Sequence, residues 1–211
     1  MLITAESLSA NIEQLRETLD NNGLLVLPTD TVYGIASALT PGGVASLLGA
    51  KHRELLQPPP VLVADLNSAE VSFGRLPEFA LSLAEYFWPG PLTLVIETSA
   101  KLPWPSGKDT PTGTTVALRQ PDNDLALQLL SALGPLAVTS ANLHGKDPAT
   151  DCKRAMDYFG DTVSVYIDGG STPGPVPSTI VSCVDRYPKI LRQGALSASQ
   201  VARVVQLEEN S

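Results

Sequence analysis

Residues 24–38 read LLVLPTDTVYGIASA: an apolar run, a proline, three short polar residues and a second apolar run. Leu24 to Leu27 are too few for a helix and too apolar for a surface loop, so they read as a buried strand. Pro28 ends it, because it biases Leu27 toward extended geometry and has no N–H to give to a sheet ladder. Thr29, Asp30 and Thr31 are therefore expected at a strand end, with their hydroxyls and carboxylate facing a crevice. Open α/β sheets bind their ligands at such strand ends.

Upstream, Ile12, Leu15 and Leu19 recur at helical spacing, which predicts a helix over about 9–21, stopped by Gly23. Downstream, Thr40 before Pro41 is a cap followed by a first helical position, and Val44, Leu47 and Leu48 form the buried stripe. Lys51 extends that inward face. A lysine at the end of an apolar stripe either snorkels to solvent or meets an anion, and Arg53 follows it in KHR. Gln57, three prolines and VLVA lead into another buried strand.

A helix carrying Phe79, Leu83 and Tyr86 ends before Pro89, and Leu92 to Thr98 form a strand. Between Lys101 and Thr114 the composition turns to Pro, Gly, Ser, Lys and Thr, an exposed loop suited to a lid. Thr115 to Leu118 make a strand that ends in Arg119. Asp122 is expected to cap a helix striped by Leu125, Leu129 and Leu133, closed by Gly134. The apolar run at Leu136 to Val138 delivers Thr139, Ser140 and Asn142 to a strand edge. Thr150 starts a helix with Cys152, Ala155, Met156 and Phe159 on one stripe, and Val163 to Ile167 form the next strand. After a Gly- and Pro-rich turn come a strand headed by Ser178 and Thr179, a strand at Lys189 to Leu191, and Arg192. Ser197 with Gln200 resembles a capping box opening the last helix.

Strands and helices alternate for much of the chain, the pattern of an α/β fold. Four strands lack an intervening helix on at least one side, so the sheet is expected to be mixed. At 211 residues, 43% apolar and 17% charged, residues 1–211 fit a single domain with a substantial core. There is no apolar run of the roughly 20 residues that span a membrane, and residues 1–21 lack the pattern of a signal peptide; a cytoplasmic location is expected. Cys152 and Cys183, with His52 and His144, have no zinc-ligand spacing, so the thiols read as free and no metal-ligating residues are expected. A net charge of −8 argues against a broad phosphate-tracking surface. Fourteen basic residues can still build one local anion pocket.

No phosphate loop, dinucleotide turn or nucleophile elbow is present. What remains is a set of strand-end hydroxyls and amides beside separated cations: Thr31, Lys51, Arg53, Thr115, Arg119, Ser140, Asn142, Ser178 and Arg192. That inventory suits a small zwitterion together with phosphates, with rate gained by positioning and charge stabilisation.

The strings PTDTVYG, KHR, WPGPLT, VALRQP, TSAN, PSTIV and LRQG, in this order, resemble the signature of the YrdC family, the threonylcarbamoyl-AMP synthases. The resemblance covers nearly the whole chain. It implies a YrdC-like fold: a twisted mixed β-sheet flanked by helices, with a concave ligand cleft, in the short form without an extra C-terminal domain. It also implies that Thr31, Arg119, the main chain near Val138 and Ser178 hold L-threonine, with Arg119 on its carboxylate. ATP would be held by Lys51, Arg53, Gln57, Thr115, Ser140, Asn142 and Arg192, Lys51 and Arg53 being the catalytic pair.

The implied reaction takes L-threonine, bicarbonate and ATP to threonylcarbamoyl-AMP and pyrophosphate, with Mg2+ accompanying the triphosphate. The implied partners are the downstream tRNA threonylcarbamoyl-transfer proteins, with a weak RNA contact and no membrane. Gln57, Leu62, Asn123 and His144 depart from the family pattern. Two other readings share the fold: a double-stranded RNA or tRNA-binding protein, and another carbamoyl- or sugar-phosphate-handling enzyme. Fold analogy alone does not separate them.

Overall fold

The computed structural model describes residues 1–51, 58–104, 114–143 and 145–208. In chain order its strands are β1 (Leu2–Thr4), β2 (Leu25–Leu27), β3 (Gly34–Ala38), β4 (Val61–Leu62), β5 (Leu92–Glu97), β6 (Thr115–Arg119), β7 (Leu136–Ser140), β8 (Val165–Asp168), β9 (Thr179–Ser182) and β10 (Lys189–Arg192). The helices are α1 (Ile12–Asp20), α2 (Pro41–Ala50), α3 (Leu66–Phe73), α4 (Glu78–Phe87), α5 (Asp124–Leu133), α6 (Cys152–Phe159) and α7 (Ala198–Val201). All the strands join one sheet in the order β1-β8-β2-β3-β7-β4-β6-β5-β9-β10. It is mixed, as expected: β1–β8, β8–β2, β4–β6 and β5–β9 are parallel and the other neighbours antiparallel.

Strand residues alternate between the two faces of a sheet, and the two faces are covered differently. One face carries Val26, Ile35, Val61, Leu92, Leu94, Ile96, Leu118, Ala137 and Val181, packed with residues of α2, α3, α4, α6 and α7 into one core. On the other face Leu25, Leu27, Ala36, Leu62, Leu136, Val138, Val165 and Ile167 form a second core with α1 and α5. This second core takes nothing from β5, β6, β9 or β10. Among the described residues, that half of the face is left without a helix. The side chains that alternation places there are Thr93, Val95 and Glu97 of β5, Thr115, Ala117 and Arg119 of β6, and Ile180 and Ser182 of β9.

Local chemistry explains most of the helix ends. The Thr40 hydroxyl accepts from Gly43 N at 3.0 Å ahead of Pro41, and Ser197 with Gln200 forms the expected capping box. Two caps fall one residue later than expected. Asn123, not Asp122, is extended and accepts from Ala126 N, and Asp151, not Thr150, accepts from Arg154 N. The cap belongs to whichever short polar residue has the extended backbone, and the sequence offered two in each case. Helix α3, opened by an Asp65–Ser68 capping box, is an element the apolar spacing did not signal; only Ala69 and Phe73 are buried on it. Met156, expected on the α6 stripe, stands exposed because α6 packs only Cys152, Ala155 and Phe159, and Tyr86 on α4 is exposed too.

Both cysteines are free and buried. Burial pushes the Cys152 thiol up from 9.0 to about 11 and the Cys183 thiol up to about 12. Each is therefore held neutral in the folded chain. The stability this contributes is fully present below the unfolded value near pH 9 and is lost as pH rises through the folded values. We expect a denaturation midpoint that is flat to about pH 8.5 and falls above pH 9. Neither thiol should react with a maleimide at neutral pH until the chain unfolds. Rapid labelling of the native protein would contradict the buried assignment. Among the described residues, no helix is long and apolar enough to cross a membrane.

Candidate active site

The six residues between β2 and β3 contain the TDT triplet. Thr29 turns this loop on itself: its Oγ1 donates to Val32 O at 2.7 Å and accepts from Thr31 N at 3.2 Å and Val32 N at 3.3 Å. A side-chain oxygen thus replaces the ladder that Pro28 interrupts. The turn presents Asp30 and Thr31 to Arg119, the last residue of β6. Arg119 Nη2 donates to Asp30 Oδ1 at 2.6 Å, Nη1 to Thr31 Oγ1 at 3.2 Å and Nε to the Gly90 carbonyl at 3.1 Å. The Arg119 and Asp30 side chains are 8% and 11% exposed. Burial lowers the Arg119 pKa below the usual guanidinium value, and the Asp30 charge works against that shift.

Beside this pair, Ser178 Oγ and Thr93 Oγ1 lie 2.8 Å apart. Arg192 Nη2 donates to Ser178 O at 2.9 Å, tying the end of β10 to the start of β9. Burial and the positive charge of Arg119 both lower the Arg192 pKa, so the two guanidinium groups feel one another's field. Gly194 allows this closure: a Cβ there would collide with the Pro177 carbonyl and the Ser178 backbone.

A third cluster lies at the end of β7. The Lys51 side chain, on a residue only 6% exposed, donates from Nζ to Ser140 O at 2.5 Å and to Asn142 Oδ1 at 3.1 Å. Ser140 Oγ donates to the same Asn142 oxygen at 2.6 Å. The inward lysine read from helix α2 therefore meets carbonyl oxygens. This cluster is joined to the TDT loop through β3, where Gly34 pairs with Ser140 and Ala141 N donates to Tyr33 O. A Cβ on Gly34 would press on Val138 Cγ1 at 2.6 Å, so glycine lets the two strands approach.

The resemblance implicates the Val138 main chain, and the ladder explains why it is a special position. Its N–H donates to Pro60 O at 2.8 Å. In an antiparallel ladder such a pair returns a second bond, but a proline has no N–H. The Val138 carbonyl is thus left without its sheet partner at the point where β4 begins.

The structure brings together Thr31 with Arg119, Ser178 with Arg192, and Lys51 with Ser140 and Asn142. Thr115 lies on the Arg119 face at the other end of β6, opposite Glu97; four residues of strand put it about 13 Å away. Arg53 and Gln57 lie outside the described residues, as do His144 and most of the loop expected over 101–114. Of the departures, Leu62 is packed in the second core beside Leu136 and Asn123 caps α5, so both have structural work in this chain. The sequence places Asp30 at the crevice but gives it no role, and it leaves out Thr93, which strand alternation from Leu92 and Leu94 would have found.

The Sua5/YciO/YrdC family, described as "telomere recombination", matches residues 17–194. A Mycobacterium tuberculosis protein provisionally named threonylcarbamoyl-AMP synthase is 40% identical over 89% of this chain and 86% of its own length. The Bacillus subtilis threonylcarbamoyl-AMP synthase is 36% identical over 95% of this chain. The Pyrococcus abyssi Sua5 structure complexed with L-threonine superposes with a TM-score of 0.82 at 31% identity over 98% of this chain. This chain spans 59% of the B. subtilis protein and 61% of the P. abyssi chain. With the signature strings and the mixed sheet both in place over that match, the chain belongs to the Sua5/YciO/YrdC family.

Proposed function

We propose that this chain is an L-threonylcarbamoyladenylate synthase. It joins L-threonine, bicarbonate and ATP into threonylcarbamoyl-AMP and releases pyrophosphate. The observation that carries this reading is the convergence of a buried guanidinium, strand-end hydroxyls and a second arginine on one half-face of an otherwise acidic molecule. A carboxylate is best held by a guanidinium fork; Arg119 supplies it, with Ser178 and Thr31 beside it. The Val138 carbonyl, left without its sheet partner by Pro60, suits the amine. The amine and bicarbonate condense to a carbamate with loss of water. A carbamate oxygen then attacks the α-phosphorus, and the bond to the β-phosphate oxygen breaks as pyrophosphate leaves.

The nucleotide contacts are proposed for Lys51, Ser140, Asn142, Thr115 and Arg192, with Arg53 and Gln57 from outside the described residues. Lys51 and Arg53 neutralise charge at the phosphates and Arg192 closes from β10, the positioning and electrostatic contributions that phosphoryl-centre transfer requires. Among the described residues no cluster of three or more His, Cys, Asp or Glu could hold a metal ion. Mg2+ is therefore proposed as a companion of the triphosphate, on nucleotide and water oxygens. Residues 1–211 would act as one cytoplasmic domain, handing a labile product to tRNA threonylcarbamoyl-transfer proteins. A net charge of −8 gives no support to the RNA-binding reading.

The test is pyrophosphate release from ATP and bicarbonate with and without L-threonine. Release that depends on threonine is expected. Release that ignores threonine, or none under any condition, would refute the assignment.

A further inference from the structure

We propose that Asp30 receives the ammonium of the amino-acid substrate, so that the Arg119–Asp30 pair recognises a zwitterion and not merely a carboxylate; this rests on the threonine reading above. Three observations meet at this residue. Asp30 Oδ1 is engaged by Arg119 at 2.6 Å, whereas Oδ2 is buried with no hydrogen-bond partner. A carboxylate can accept at about four lone-pair positions, and a buried acceptor with none of them filled on one oxygen is a standing cost. A purely structural ion pair would be expected to satisfy both oxygens.

The second observation is how the guanidinium is used. Of its five N–H groups, one each goes to Gly90 O, Thr31 Oγ1 and Asp30 Oδ1. Two remain, enough to take a substrate carboxylate without releasing Asp30. The third is net charge. Arg119 and Asp30 are already a buried, neutral pair. Measured against that pair, a ligand carrying only a carboxylate adds a negative charge beside Asp30 and one carrying only an amine adds a positive charge beside Arg119; the Arg192 charge is the one assigned above to the nucleotide.

A zwitterion laid head to tail against the pair adds none, and uncompensated charge in such a site is what costs most. The ammonium has three donors, so Asp30 supplies the countercharge while the Val138 carbonyl and Thr31 take the remaining directions.

The test uses two ligands that differ only in the amine: L-threonine and (R)-3-hydroxybutanoate. Both are titrated calorimetrically into the full chain, wild type and Asp30→Asn. Wild type should bind threonine at least about 10-fold more tightly than the hydroxy acid. Asp30→Asn should weaken threonine by about 10- to 100-fold while the hydroxy acid binds as well as before or more tightly. Equal losses for both ligands would overturn the proposal, because Asp30 would then act only by holding Arg119. Equal wild-type affinities for the two ligands would overturn the proposal whether or not Asp30→Asn folds. Wild type that binds neither ligand would remove the threonine reading itself, an outcome distinct from the other two.

Discussion

Arg119→Ala is expected to abolish threonine-dependent pyrophosphate release and, separately, to destabilise the fold by about 3–5 kcal/mol, the usual cost of removing one partner from a buried ion pair. The second effect follows from what is left behind. The Asp30 carboxylate, 11% exposed, would lose the only ion pair described for it and keep its burial. The Thr31 hydroxyl and the Gly90 carbonyl would lose a donor in the same step. Activity alone therefore cannot interpret this variant. Urea denaturation should show the stability loss, while ATP affinity, measured on chain that remains folded, should stay within about 3-fold. Arg119→Lys keeps the charge but loses the fork, and should recover part of the stability while remaining about 100-fold impaired in threonine use. A variant with wild-type denaturation and wild-type threonine dependence would refute the role given to Arg119.

Lys51→Met is the opposite case. The methionine keeps most of the apolar stem that continues the α2 stripe, so the fold should persist. What disappears is the ammonium held by Ser140 O and Asn142 Oδ1. Loss of one preorganised charge-stabilising donor costs about 100- to 1,000-fold in turnover, and that range is expected for ATP-dependent pyrophosphate release. Threonine affinity by calorimetry should change by less than about 3-fold, since no described contact joins Lys51 to Arg119 or Ser178. The reverse result, with threonine binding lost and turnover retained, would exchange the two halves of the site map.

The short-range features of this chain were legible because they depend on neighbours in sequence. Pro28 ends β2 because a proline lacks an N–H; Thr40 and Ser197 cap their helices because a hydroxyl can reach the N–H three residues on. The strand-end hydroxyls followed from the same apolar runs, as did the inward direction of Lys51. Between adjacent candidates the sequence had no means of choosing, which is why the caps of α5 and α6 moved by one residue. Short α3, with two buried residues, left too weak a period to find.

The site was assembled by contacts that no sequence window contains. The ion pair joins Asp30 to a residue 89 positions away, and Lys51 meets Asn142 across 91. Among the described residues the half of one sheet face carrying β5, β6, β9 and β10 has no helix because α1 and α5 pack on the β1–β4 side, including β7 and β8, a consequence of strand order and not of any one strand's composition. Sequence alone determined which groups would stand at strand ends and that they would be hydroxyls, amides and cations, since periodicity and turn chemistry act locally. Tertiary structure alone decided that Arg119 would be neutralised by Asp30 and sensed by Arg192, because burial and Coulomb interaction depend on distance in space.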